Sequence, residues 1–89
     1  MRRFFYDMKI AEKLNIPIDI ADGSSILTIT GNREVFIENY KGVIFYEKNC
    51  IKVQTKQGRI IFCGKNLQID YYTATDMKIT GELNGISWS

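Results

Sequence analysis

LTITGNREVFIENYKGVIFYEKNCIKVQTKQGRIIFCGKNLQIDYYTATDMKITGELNGISW, residues 27–88, repeats one short pattern. Gly31, Glu47, Gly64 and Gly81 mark four copies, spaced 16, 17 and 17 residues apart. Ile29, Phe45, Phe62 and Ile79 stand two residues before the markers, and Leu27, Val43, Ile60 and Met77 four before. After each marker and a few mostly polar residues comes a second apolar alternation: Val35 and Ile37, Ile51 and Val53, Leu67 and Ile69, Ile86 and Trp88. Spacing by two puts side chains on one face of a strand. The unit therefore reads as strand, sharp bend, strand. Glycine at three of the four bends fits, because a bend often needs a positive φ. In this phase Ile29, Phe45, Phe62 and Ile79 all point into the core.

The 89 residues make a single all-β domain, residues 1–89, with the repeats over 26–88. About eight short strands are expected, near 26–30, 33–39, 43–47, 50–55, 59–63, 67–72, 76–81 and 84–88. Tight connections such as Tyr40-Lys-Gly42 and Lys56-Gln-Gly58 join them, and strands so joined are mostly antiparallel neighbours. The reading is an antiparallel meander curled into a sandwich or roll. A small β-solenoid, each unit a rung, is the alternative. Before the repeats, Phe4, Met8, Ala11 and Leu14 recur at helical spacing, so residues 1–16 read as a short amphipathic helix and lead-in. Pro17 stops that helix.

Composition narrows function. Net charge is +2, all of it within residues 1–14, and the remaining residues balance. No basic face is large enough to grip a phosphate backbone, so nucleic acid is not an expected partner. No apolar run approaches the ~20 residues of a membrane helix. The N-terminus lacks the apolar core of a signal peptide, so the chain is expected on the side of the membrane where it is made. Histidine is absent, which removes the commonest general base and most zinc sites. The acids Glu34, Glu38, Glu47, Asp70, Asp76 and Glu82 are dispersed. No catalytic residue, metal site, cofactor or small-molecule substrate is expected. Cys50 and Cys63, without a CxxC motif, read as reduced thiols packed as small apolar groups.

Two surfaces stand out. Around the middle two markers, Ile44, Tyr46, Ile61 and Cys63 make the strands apolar on both faces, and such strands are covered on both faces. The cover is either the N-terminal helix or a partner, including a second copy of this chain. Arg2 and Arg3 precede Phe4 and Phe5, and basic residues beside an apolar helical face can rest on an anionic membrane.

The segment ITGNREVFIENYKG, residues 29–42, resembles the YabP/YqfC sporulation family, its YqfC branch in particular. So do Gly64-Lys-Asn-Leu67, Ile79-Thr-Gly-Glu82 and the ending Gly85-Ile-Ser-Trp88. Leu14-Asn-Ile-Pro17 is similar to that family's lead-in to its first strand. The resemblance implies a protein of endospore-forming Firmicutes, made in the mother cell and needed for sporulation, without enzymatic activity. The expected role is structural or in assembly, through another sporulation protein that is soluble or membrane-bound, at the membrane surface around the forespore. The competing reading is a small-ligand or carbohydrate-binding β-module that uses Tyr40, Tyr71, Tyr72 and Trp88.

Overall fold

The computed structural model describes residues 23–89. Among them six antiparallel strands form one open sheet: β1 (Ile26–Thr30), β2 (Glu34–Glu38), β3 (Tyr40–Glu47), β4 (Cys50–Thr55), β5 (Gly58–Tyr72) and β6 (Asp76–Trp88). Their order is β1-β2-β6-β5-β4-β3. The all-β, antiparallel expectation holds. The eight-strand meander does not, because β6 inserts between β2 and β5. The solenoid alternative fails too, since every pairing is antiparallel. The helix expected over residues 1–16 lies outside the described residues.

The count falls from eight to six because two of the four bends do not end a strand. Gly31 opens the turn between β1 and β2, and Glu47 leads into the turn between β3 and β4. Gly64 and Gly81, in contrast, sit inside β5 and β6, which stay paired on both sides of the bend through Cys63↔Gly85, Lys65↔Glu82 and Gln68↔Thr80. The backbones there touch. A Cβ on Gly64 would collide with the carbonyl of Glu82, and one on Gly81 would lie 2.6 Å from the carbonyl oxygen of Asn66. Gly81 also has φ 136°, a conformation that side chains disfavour. A register shift between Lys65 and Gln68 takes up the kink, with Asn66 at φ 53°.

Each bend is held by a hairpin turn. The Gly81 and Leu83 amides donate to the carbonyls of Arg33 and Asn32 (3.1 and 2.7 Å) in the first turn. The Gly64 and Leu67 amides donate likewise to Asn49 and Lys48 (3.2 and 2.7 Å) in the second. The repeat thus appears as two hairpins, each docked by its turn onto a bent long strand.

The bends curl the sheet so that one face encloses the core. Val35, Ile37, Ile51, Val53, Ile60, Phe62, Met77 and Ile79 are fully buried there, with Leu67, Leu83 and Tyr40 nearly so. The registers agree: Val35 faces Ile79, Ile37 faces Met77, Ile51 faces Phe62 and Val53 faces Ile60. Asn39, at φ 66°, turns β2 into β3, and its amide and that of Tyr40 donate to Thr75 (2.8 and 3.2 Å).

Two of the four expected core residues are corrected. Phe62 and Ile79 are buried, but Ile29 is 50% exposed and Phe45 is 40% exposed. Ile29 does lie on the concave face, opposite Val35, but at the end of an outer strand beside the turn. Phe45 is turned out by a β-bulge. Val43 pairs with Val53 and Phe45 with Lys52, which leaves Ile44 as the extra residue. One inserted residue flips the side chains that follow it. Tyr46, not Phe45, therefore opposes Ile51 on the core side.

Candidate functional site

β3 lies at one edge of the sheet, and its side chains explain why it is the surface of interest. Val43, Ile44, Phe45 and Tyr46 follow one another and are 43%, 47%, 40% and 50% exposed. Edge strands are usually blunted by charge, proline or short length, because their unpaired backbone invites another strand. Here Lys41 and Glu47 flank the run and nothing charged interrupts it. The opposite edge, β1, is five residues long and carries Thr28 and Thr30. Four adjacent exposed apolar side chains mark an interaction surface more often than chance.

The concave side of this edge opens into a cleft of about 520 Å³, lined by Tyr40, Lys41, Gly42, Val43, Tyr46, Ile69 and Tyr72. It exists because the second half of β5 bends over toward β3 without pairing to it. Tyr46 bridges the gap: its hydroxyl accepts a hydrogen bond from the Ile69 amide at 2.9 Å. Tyr40 anchors the other end, donating its hydroxyl to the Thr73 carbonyl at 2.6 Å. On the convex side, the Lys52 ammonium stands 5.5 Å from the centre of the Phe45 ring, a cation–π distance.

The residues singled out from the sequence do not share one face. Ile44 is the bulge residue, and Tyr46 looks into the cleft. Ile61 and Cys63 lie on the convex face, opposite Lys52 and Cys50. Ile61 is half-buried and Cys63 exposed, so the doubly apolar pattern of the middle units divides between two surfaces. Arg2, Arg3, Phe4 and Phe5 lie outside the described residues. Tyr40, Val43, Ile69 and Tyr72 complete the cleft; Tyr40 and Tyr72 were expected in one aromatic strip, Val43 and Ile69 beside them were not. The bend of β5, which carries its second half toward β3, brings them into one place.

A second hollow, about 320 Å³, is polar and lies at the bends, between Asn32, Arg33, Lys65, Asn66, Gly81 and Glu82. Lys65 faces Glu82 directly, so charges of both signs meet there. Among the described residues no cluster of three or more His, Cys, Asp or Glu side chains is placed to hold a metal ion. Nor is any helix among them long and apolar enough to cross a membrane. Cys50 and Cys63 are free thiols, half-buried and exposed respectively, on the convex face rather than packed in the core. Burial pushes the Cys50 thiol pKa up, and Cys63 across the strand adds to this, while Lys52 pulls the other way.

Fold and site together define a small β-sheet protein whose distinguishing surface is an apolar edge strand, β3, whose outer side pairs with no other strand among the described residues. The chain belongs to the YabP family, whose sequence profile matches residues 21–89. It is similar to the uncharacterized protein YqfC of Bacillus subtilis (strain 168), with 25% identity over 79 residues, covering 89% of this chain and 85% of that protein. No solved structure matches it.

Proposed function

We propose that this chain is a non-enzymatic sporulation protein of the mother cell, a structural or assembly piece that binds another protein through the β3 edge. Membership of the family it resembles supports the sporulation part of the reading. The exposed run from Val43 to Tyr46 is the observation that carries the binding part. An extended strand of a partner would add to β3 by backbone hydrogen bonds and set alternate side chains into the cleft beside Tyr46. Placement at the membrane around the forespore would come from the partner, because four basic residues near the N-terminus, at ~1 kcal/mol each, give weak adhesion. A homo-oligomer through the same edge is the variant in which the partner is a second copy.

The tyrosines of the cleft favour one competing reading, a carbohydrate or small-ligand module. The two separate by photo-cross-linking in sporulating cells. A cross-linker at Ile44 should trap a discrete protein partner, and one at Lys78, on the convex face of β6, should not. No protein cross-link at Ile44, together with glycan binding that Tyr72→Ala abolishes, would replace the first reading by the second.

A further inference from the structure

The two cysteines, distant in sequence, are direct cross-strand partners: Cys50 on β4 faces Cys63 on β5. The type of pairing follows from counting. β4 and β5 are joined by the two-residue turn Lys56-Gln57, closed by Thr55 and Gly58. The closing pair of such a turn exchanges both backbone hydrogen bonds, and pairs then alternate along the ladder. Cys50 and Cys63 thus fall on a non-hydrogen-bonded pair. The next pair confirms the phase, since the Gly64 amide donates to the Asn49 carbonyl at 3.2 Å. Non-hydrogen-bonded pairs bring Cα atoms to ~4.5 Å and their side chains closest together, within the ~4.4–6.8 Å that a disulfide spans.

Access is also favourable. Both side chains are on the convex face, and Cys63 is exposed. Its neighbour across β6 is Gly85, beside which a Cβ would meet nothing within 4 Å.

We propose that Cys50 and Cys63 are a thiol–disulfide modification site: a dithiol in a reducing cytosol, closed to a cross-strand disulfide by a small-molecule disulfide. The Cys63 thiolate attacks one sulfur of that oxidant. The oxidant's S–S bond breaks, a mixed disulfide forms on Cys63, and one small thiol leaves. The Cys50 thiolate then attacks the Cys63 sulfur and expels the second small thiol. Two protein thiols become one disulfide, the small disulfide becomes two thiols, and two electrons pass to the oxidant. Cys63 acts first because it is exposed, whereas Cys50 is half-buried and its thiol is held protonated by that burial. The bond would lie one pair from the Asn49–Gly64 contact that holds the bend of β5. Oxidation would therefore staple the second hairpin to the bent strand.

The test is to treat the full chain with oxidised glutathione and read intact mass, free thiols and melting temperature. The expected product is a monomer that has lost two hydrogens and both free thiols, melts about 5 °C or more higher, and reverts with dithiothreitol. Cys50→Ser should stop at one glutathione adduct on Cys63, and Cys63→Ser should react far more slowly. Two adducts on one chain, a disulfide-linked dimer, or two thiols unchanged under conditions that oxidise a reference dithiol would each overturn the proposal.

Discussion

Ile44 decides which way its neighbours face. As the bulge residue it puts Phe45 on the convex side and Tyr46 on the core side. The two phenylalanines at equivalent repeat positions should therefore respond differently to truncation. Phe62→Ala should cost ~3–5 kcal/mol, a large share of the ~5–15 kcal/mol that such domains have. Phe45→Ala should cost under ~1 kcal/mol, as surface changes usually do. Urea melts of both variants check this, and equal losses would mean that the bulge is misplaced. Gly64→Ala and Gly81→Ala should each destabilise the fold by ~1–3 kcal/mol of crowding and so lower the melting temperature. At Gly64 the added Cβ meets the tighter backbone contact, and at Gly81 the positive φ adds backbone strain to the crowding. A rise in melting temperature for either would remove the close backbone contact from the account. At this scale the alternation of Val35 with Ile37 and of Ile51 with Val53 could be read directly. The bulge could not, since no proline or glycine marks Ile44 and an inserted residue leaves composition unchanged.

The element proposed to carry function is β3, and its exposure follows from its position in the sheet. The sequence pattern placed the strands at 26–30 and 50–55, but β3 starts at Tyr40 rather than 43: Tyr40-Lys-Gly42, read as a tight connection, is part of the strand, and the turn falls on Asn39 at positive φ. The pattern divided β5 and β6 in two, because a glycine bend that keeps its ladder looks the same in sequence as one that ends it. For the same reason Val43–Tyr46 read as a strand covered on both faces. A run of apolar residues is shared by a central strand and by an edge built for a partner. The connection Lys56-Gln-Gly58 was legible, but its closing pair was not: Gly58 belongs to β5 and pairs with Thr55, which sets Cys50 against Cys63. Two substitutions separate the roles of β3. Ile44→Lys should leave the stability read from urea melts within about 0.5 kcal/mol of the parent, as exposed sites do, yet abolish cross-linking to the partner. Tyr46→Phe removes the hydroxyl that accepts from Ile69 and should cost ~1 kcal/mol. An Ile44→Lys protein that folds normally and still captures the same partner would exclude this edge as the docking strand.

At the scale of the molecule, topology turns a local repeat into a curled sheet. β2 and β3 are consecutive, with Asn39 between them, yet stand at different places in the sheet, with β6, β5 and β4 between. The four-fold pattern could be seen in the sequence, but its pairing of hairpin turns with strand bends could not, because hydrogen bonds such as Leu67 to Lys48 and Leu83 to Asn32 join distant segments. This division also bears on residues 1–14, which the sequence predicts as an amphipathic helix. With Tyr46 on the concave side and Ile61 and Cys63 on the convex side, one helix of that length can cover only one set. The cleft side gathers Val43, Tyr46, Ile69 and Tyr72, and the chain enters the described region beside it. Ser24 accepts from the Asn39 side chain through its carbonyl (3.1 Å), next to Tyr40, and from Gln57 through its hydroxyl (3.0 Å). If the helix covers the cleft, deleting residues 1–14 should give a folded protein that self-associates, because the apolar edge is bared. Adding Ile44→Lys to the truncated chain should restore the monomer, as read by sedimentation. A truncated chain that stays monomeric, keeps the stability of the full chain and loses binding to anionic vesicles would assign Arg2, Arg3, Phe4 and Phe5 to a membrane instead.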